Sequence, residues 1–302
     1  MTEPLFFTYL GKGDDPMKTK ACLLLVILLF AASAHFASAE TAVFTWGDYE
    51  YALEEDGSAR ITKYTGKEAE LVIPSLLDGR PVTVIGPWAF SPNDDVISLT
   101  IPGTVRRIEE DAFARLTKLT SLTIPEGVES VGSAAFSHCF LLREVSLPDT
   151  LTEVGWNPWS MCQKLTDIRV SPNHPALEVI DGVLFGRADR RLICCPIGLG
   201  MTDYDIPQGT VIIGKMAFFN CTSLKSFTIP ESVRTIEEQA FWYCIFLTDI
   251  TIPDTVTNIG DYAFSHCGVV TLTVTPGGYA ERYCEKFGVY YRYPDYLDWL
   301  KE

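Results

Sequence analysis

One register runs through this chain. Prolines stand at Pro102, Pro125 and Pro148, and again at Pro207, Pro230 and Pro253, with a step of 23 residues inside each set. An Ala-Phe pair keeps the same phase at Ala89-Phe90, Ala112-Phe113, Ala135-Phe136, Ala217-Phe218, Ala240-Phe241 and Ala263-Phe264. Cys139, Cys162, Cys221, Cys244 and Cys267 follow in phase. A fixed period of 20 to 50 residues marks a solenoid, because one unit cannot bury its apolar side alone and stacked units can. The period overrides the division into two globular domains that 302 residues would otherwise suggest. Hydrophobic residues make up 47% of the chain, enough to fill a continuous core.

Each unit reads as one coil. The alternation before the proline sends Leu122, Ile124, Val145, Leu147, Phe227, Ile229, Ile250 and Ile252 inward. It sends Ser121, Thr123, Glu144, Ser146, Ser226, Thr228, Asp249 and Thr251 outward. Proline has no N–H for a ladder, so it ends the strand. Val-x-x-Ile-Gly predicts a second short strand, with the glycine letting the chain turn. Ala-Phe-x-x-Cys predicts one helical turn, with Phe filling the core. The expected fold class is α/β: parallel strands stacked coil on coil, with one short helical turn per 23-residue repeat.

The expected boundaries follow. Lys18 and Lys20 precede an apolar run over residues 21–32, then Ala37-Ser38-Ala39, the pattern of a signal peptide. Residues 1–39 are therefore assigned to it, with Met17 as the natural start and residues 1–16 as an over-called N-terminus. The apolar run is too short for a comfortable membrane span, and no membrane insertion is expected after cleavage. Residues 40–70 are expected to form an N-terminal cap hairpin and residues 71–275 the repeats. The step from Val170 to Ile206 is 36 rather than 23, which places a hairpin insertion at 171–203, projecting from or lying along one side. Residues 276–302 are expected to cap the C-terminus, with a helix over 279–287, a strand over 289–293, and Tyr296, Leu297 and Trp299 closing the end. Trp159 and Pro158 occupy the Phe and Ala slots of their unit.

The chain carries 24 Lys and Arg against 39 Asp and Glu, a net charge of −15. Such a surface repels phosphate backbones, so nucleic acid is excluded as a partner class. No Gly-x-Ser-x-Gly, His-Glu-x-x-His, phosphate loop or EF-hand occurs, no Cys-x-x-Cys pair suggests zinc, and no cofactor or metal is expected.

These residues resemble the BspA-type, or Treponema-type, leucine-rich repeat family. The resemblance rests on the Ile-Pro-x-x-Val-x-x-Ile-Gly-x-x-Ala-Phe-x-x-Cys register and on the Asp181-Gly182-Val183-Leu184-Phe185 insertion. The Ile61–Gly66 hairpin and the Tyr279-Ala280-Glu281 cap are similar too. It covers about 42–302 and implies a right-handed leucine-rich-repeat solenoid. It also implies a bacterial secreted or cell-surface protein of a kind that often binds host matrix proteins or other cells, with no shared catalytic set.

The ladder cysteines are expected to be buried free thiols. Cys194-Cys195 is the exception: adjacent strand residues face opposite ways, which predicts one exposed thiol and leaves a disulfide there as the alternative. His138 and His266 each precede a ladder cysteine and are read as surface loop residues, since a Cys–His nucleophile needs its base across a cleft. Asn93-Asp94-Asp95 is read as a solvated turn. Phe219, Trp242 and Tyr243 follow core phenylalanines in adjacent units and should stack on one edge, the candidate binding patch. The leading function is an exported, non-catalytic binding module for an extracellular protein or glycan. The alternatives are a structural spacer or assembly subunit, and, more remotely, a hydrolase.

Overall fold

The computed structural model describes residues 42–294, so the signal segment and the closing residues Tyr296, Leu297 and Trp299 lie outside the described part. The repeat builds three ladders. Strands Ser121–Thr123, Glu144–Ser146 and Asp167–Arg169 pair in parallel, with Leu122, Val145 and Ile168 in register and buried. On a second side Arg107–Ile108, Ser130–Val131 and Glu153–Val154 pair in parallel. On a third, the N–H groups of Asp111, Phe113 and Arg115 donate to the carbonyls of Ser133, Ala135 and Ser137 at 3.1, 2.8 and 2.7 Å.

That third ladder replaces the expected helical turn. The residue before each Ala-Phe pair, and the second residue after every pair but Ala89-Phe90, where Pro92 stands, have left-handed backbones, as at Asp111 (φ 53°) and Arg115 (φ 64°), or Tyr262 (φ 60°) and His266 (φ 60°). A left-handed L-residue breaks an α-helix. It turns alternate N–H groups toward the next coil, where they find acceptors. The strain of order 1 kcal/mol at each such residue is set against these hydrogen bonds between coils.

The phenylalanines form a file. Phe90, Phe113 and Phe136 stack at 4.9 and 5.2 Å, and Phe218, Phe241 and Phe264 at 4.9 and 5.2 Å. All six are buried, as is Trp159 in the same slot. The thiol three residues on has a defined partner. Cys162, Cys244 and Cys267 Sγ donate to the carbonyls of Phe136, Phe218 and Phe241 in the preceding coil, at 3.2, 3.1 and 3.0 Å. Cysteine thus supplies a small apolar volume and a weak donor together. Burial pushes these thiols up, that of Cys267 to about 12, so they are poor nucleophiles.

The glycine after the second strand serves a different need from the expected turn. Its backbone is not left-handed at Gly132 or Gly260, but an added Cβ would stand 2.6 Å from the Glu109 backbone or 2.3 Å from that of Glu238. Neighbouring coils approach too closely there for any side chain.

The insertion lies within the wall of the solenoid. Leu177–Ile180, Val183–Gly186 and Arg191–Cys194 run antiparallel, and the last pairs in parallel with Ile212–Ile213, the first strand of a fresh ladder. The N-terminus begins the same way. Phe44–Trp46, Tyr49–Leu53 and Ala59–Tyr64 are antiparallel, and the last pairs in parallel with Arg80–Ile85. Two arrays result, each opened by antiparallel strands, with two clusters of buried side chains. In both, an arginine of the opening strand crosses the glycine of the next coil and pairs with a glutamate one coil further. Arg60 passes Gly86 to reach Glu109, and Arg191 passes Gly214 to reach Glu237.

The expectation of an exposed thiol at Cys194-Cys195 is corrected here. Both are free and buried, at 1% and 5% exposure. They do face opposite ways, but each way leads to a core: Cys194 belongs to the first cluster and Cys195 to the second. They stand one period before Ala217-Phe218, and the Cys195 N–H donates to the Ala217 carbonyl at 2.8 Å, the bond Phe218 makes to Ala240. At the C-terminus the helix Tyr279–Phe287 buries Ala280, Tyr283 and Cys284, and strand Tyr290–Arg292 extends the sheet from Thr271–Thr273.

Candidate functional site

The third ladder sets the spacing of the side chains beside it. The Asn220 N–H donates to the Trp242 carbonyl at 2.8 Å, and the Tyr243 N–H to the Ser265 carbonyl at 3.2 Å. Residues following successive core phenylalanines therefore lie side by side on one edge. Phe219, Trp242 and Tyr243 come together there. Phe219 meets Trp242 edge-on at 5.5 Å, and Trp242 lies 5.7 Å from Tyr243.

The structure adds His266, which the sequence reading left as a loop residue. Its ring stacks on Tyr243 at 4.7 Å with 14° between planes, and its Nδ1 accepts a hydrogen bond from Trp242 Nε1 at 2.7 Å. The signal was present: His266 stands one period after Tyr243. Phe219 and Trp242 are half-buried, while Tyr243 (42% exposed) and His266 are open. The edge continues onto exposed Ile245, Phe246 and Val269, and residues 239–248 contain no charged side chain. Beside it a groove of about 290 Å³ runs between His266, Gly268 and Val270 of the last repeat and Phe287, Val289 and Tyr290 of the cap.

The other sequence candidates resolve into local structure. The Cys139 thiol donates to the Phe113 carbonyl at 3.6 Å, and that of Cys267 to Phe241, so neither is coupled to the histidine before it. Burial pushes His138 below the ordinary histidine value, with Arg115 adding to the effect. Asn93 donates to the Gly66 carbonyl and accepts from the Asp95 N–H, and Asp94 accepts from the Thr117 hydroxyl. Buried His174, unremarked in the sequence, ties the insertion down. Its Nε2 meets the Pro148 carbonyl at 2.8 Å, and its Nδ1 accepts from the N–H groups of Ala176 and Leu177. Among the described residues no group of three or more His, Cys, Asp or Glu is placed to hold a metal ion, and no helix is long and apolar enough to cross a membrane.

The sequence profile of the BspA type leucine rich repeat region matches six copies in this chain, over residues 83–188 and 198–280. The chain belongs to the BspA-type leucine-rich repeat family. The break in this BspA-type match, between residues 188 and 198, falls on Arg191–Cys194, the strand of the insertion that opens the second array. A leucine-rich repeat protein from Eubacterium ventriosum shares the fold. It is 20% identical with a TM-score of 0.59, over 78% of this chain and 73% of that one. The pneumococcal vaccine antigen PcpA is similar at 18% identity and TM-score 0.49, over 78% and 82%. A leucine rich cell surface protein from Faecalibacterium prausnitzii is similar at 24% identity and TM-score 0.37, over 82% and 98%. No curated protein matches the chain.

Proposed function

We propose that this protein is an exported, non-catalytic binding module, secreted or held at the cell surface, that contacts an extracellular protein or glycan partner. Phe219, Trp242 and Tyr243 are the contact residues. The reading rests on one observation above all: an uncharged aromatic edge, half open to water, on a chain of net charge −15. Tryptophan and tyrosine are the residue types that dominate binding hot spots. Export is supported by the basic, apolar and small-residue order of residues 17–39.

The test is capture of matrix proteins and glycans on residues 40–302, repeated with Trp242→Ala and Tyr243→Ala. Both variants should lose the captured partner while their melting curves stay within about 1 kcal/mol of the parent, as expected for side chains outside the core. Undiminished capture would remove the patch from the reading.

A further inference from the structure

The tie between Trp242 and His266 has a chemical condition attached to it. An indole Nε1–H only donates, so the imidazole nitrogen facing it must carry a lone pair. Nδ1 is that nitrogen, 2.7 Å from Nε1, and the proton of the neutral ring then sits on Nε2. A second proton has only Nδ1 to go to. There it would set N–H against N–H and leave the indole without its acceptor.

The ring cannot escape cheaply. Its left-handed backbone (φ 60°) and its stack on Tyr243 at 4.7 Å hold it over the edge. Among the described residues, three titratable groups are placed beside it by the ring stack, by its own coil or by the groove. The phenol of Tyr243 lies on the preceding coil, the thiol of Cys267 on its own, and the phenol of Tyr290 on the closing strand across the groove. Among the described residues, no carboxylate lies within 4.0 Å of the ring to form an ion pair with its charged form. Histidine is the side chain whose charge ordinarily changes between pH 5 and 8.

We propose that His266 is a proton-operated latch on the aromatic edge: neutral, it fixes the indole of Trp242 beside Phe219 and Tyr243, and protonated, it releases it. This deepens the binding role proposed above and rests on it, since the latch would regulate that same patch. An aromatic anchor that is already held costs less ordering entropy on binding than one that must be caught. The partner should therefore be held at neutral pH and let go in acid.

The test reads the latch without any partner, so failure to capture one counts against the binding role and not against this result. The indole Nε1–H resonance of Trp242 is assigned by its loss in Trp242→Phe and followed from pH 8 to pH 5 together with the ring protons of His266. Expected is a shift of the indole resonance in step with the histidine. Its exchange with solvent should also quicken by roughly two- to tenfold relative to the exposed indole of Trp88, the factor a hydrogen bond of ordinary net strength is worth. In His266→Gln, whose side-chain carbonyl accepts but does not titrate, both changes should vanish. An indole signal that stays still while His266 titrates, or that moves equally in His266→Gln, overturns the proposal.

Discussion

In the first array the residue after each core phenylalanine is Ser91, Ala114 or Ser137, and the next coil, with Trp159 in that slot, has Ser160. In the second array it is Phe219, Trp242 or Ser265. The coil is otherwise the same: the same opening order of strands, the same stacked file at about 5 Å, the same arginine crossing a glycine to a glutamate. Small residues, buried at Ala114, Ser137 and Ser160, close the edge of the first array, while large half-exposed rings open that of the second. The interior is bound by the need to stack, because a core side chain must fit the coil above and the coil below. The edge answers to no such constraint. Variation there costs the fold little, and this is where a binding surface can be changed without rebuilding the protein.

Four substitutions test how far the two arrays are equivalent. Phe113→Ala and Phe241→Ala each remove a fully buried ring from the middle of a file and should cost about 3–5 kcal/mol in a denaturant series. A large difference between them would break the equivalence of the slots. Gly132→Ala and Gly260→Ala push a methyl against the backbone of the neighbouring coil and should cost roughly 1–3 kcal/mol, seen as a lower melting temperature in both. No loss at either would mean the coils can slide apart, and the close approach would not be a constraint.

The arginine crossing sets a smaller scale. Arg191 and Glu237 are 29% and 27% exposed and Arg60 and Glu109 28% and 24%, so both pairs feel solvent screening. Glu109→Ala and Glu237→Ala should each lose at most about 1 kcal/mol, less at high salt. A salt-independent loss would show that packing over Gly86 or Gly214 outweighs the charge. Smallest of all, Thr123→Lys on the open strand face should stay within about 0.5 kcal/mol. A loss there as large as at Phe113 would refute the assignment of inward and outward faces.

Much of this was written in the local pattern. The spacing of Ala112-Phe113 and Ala135-Phe136 fixed the period, and the alternation through Leu122 and Ile124 fixed which side chains enter the core. The same period placed Phe219, Trp242 and Tyr243 on one edge. Three readings failed for a common reason. The Ala-Phe segment looked helical because helix and tight turn share their local composition, and only the hydrogen bonds to the next coil choose the left-handed form. Gly132 looked like a turn glycine because the coil that excludes a side chain there is 23 residues away. Cys194-Cys195 looked half exposed because the sequence marks a strand but not what lies on either side of it.

Sequence alone determined the period, the inward file and the neighbours on each edge, since these follow from counting residues within a coil of constant length. Tertiary structure alone decided that the insertion opens a second array, that Cys194 and Cys195 face two cores, and that His266 accepts a hydrogen bond from Trp242. Each of these depends on which atoms meet across coils. That is settled by packing and by the search of every buried or half-buried N–H for an acceptor, and neither is visible in a repeat read one unit at a time.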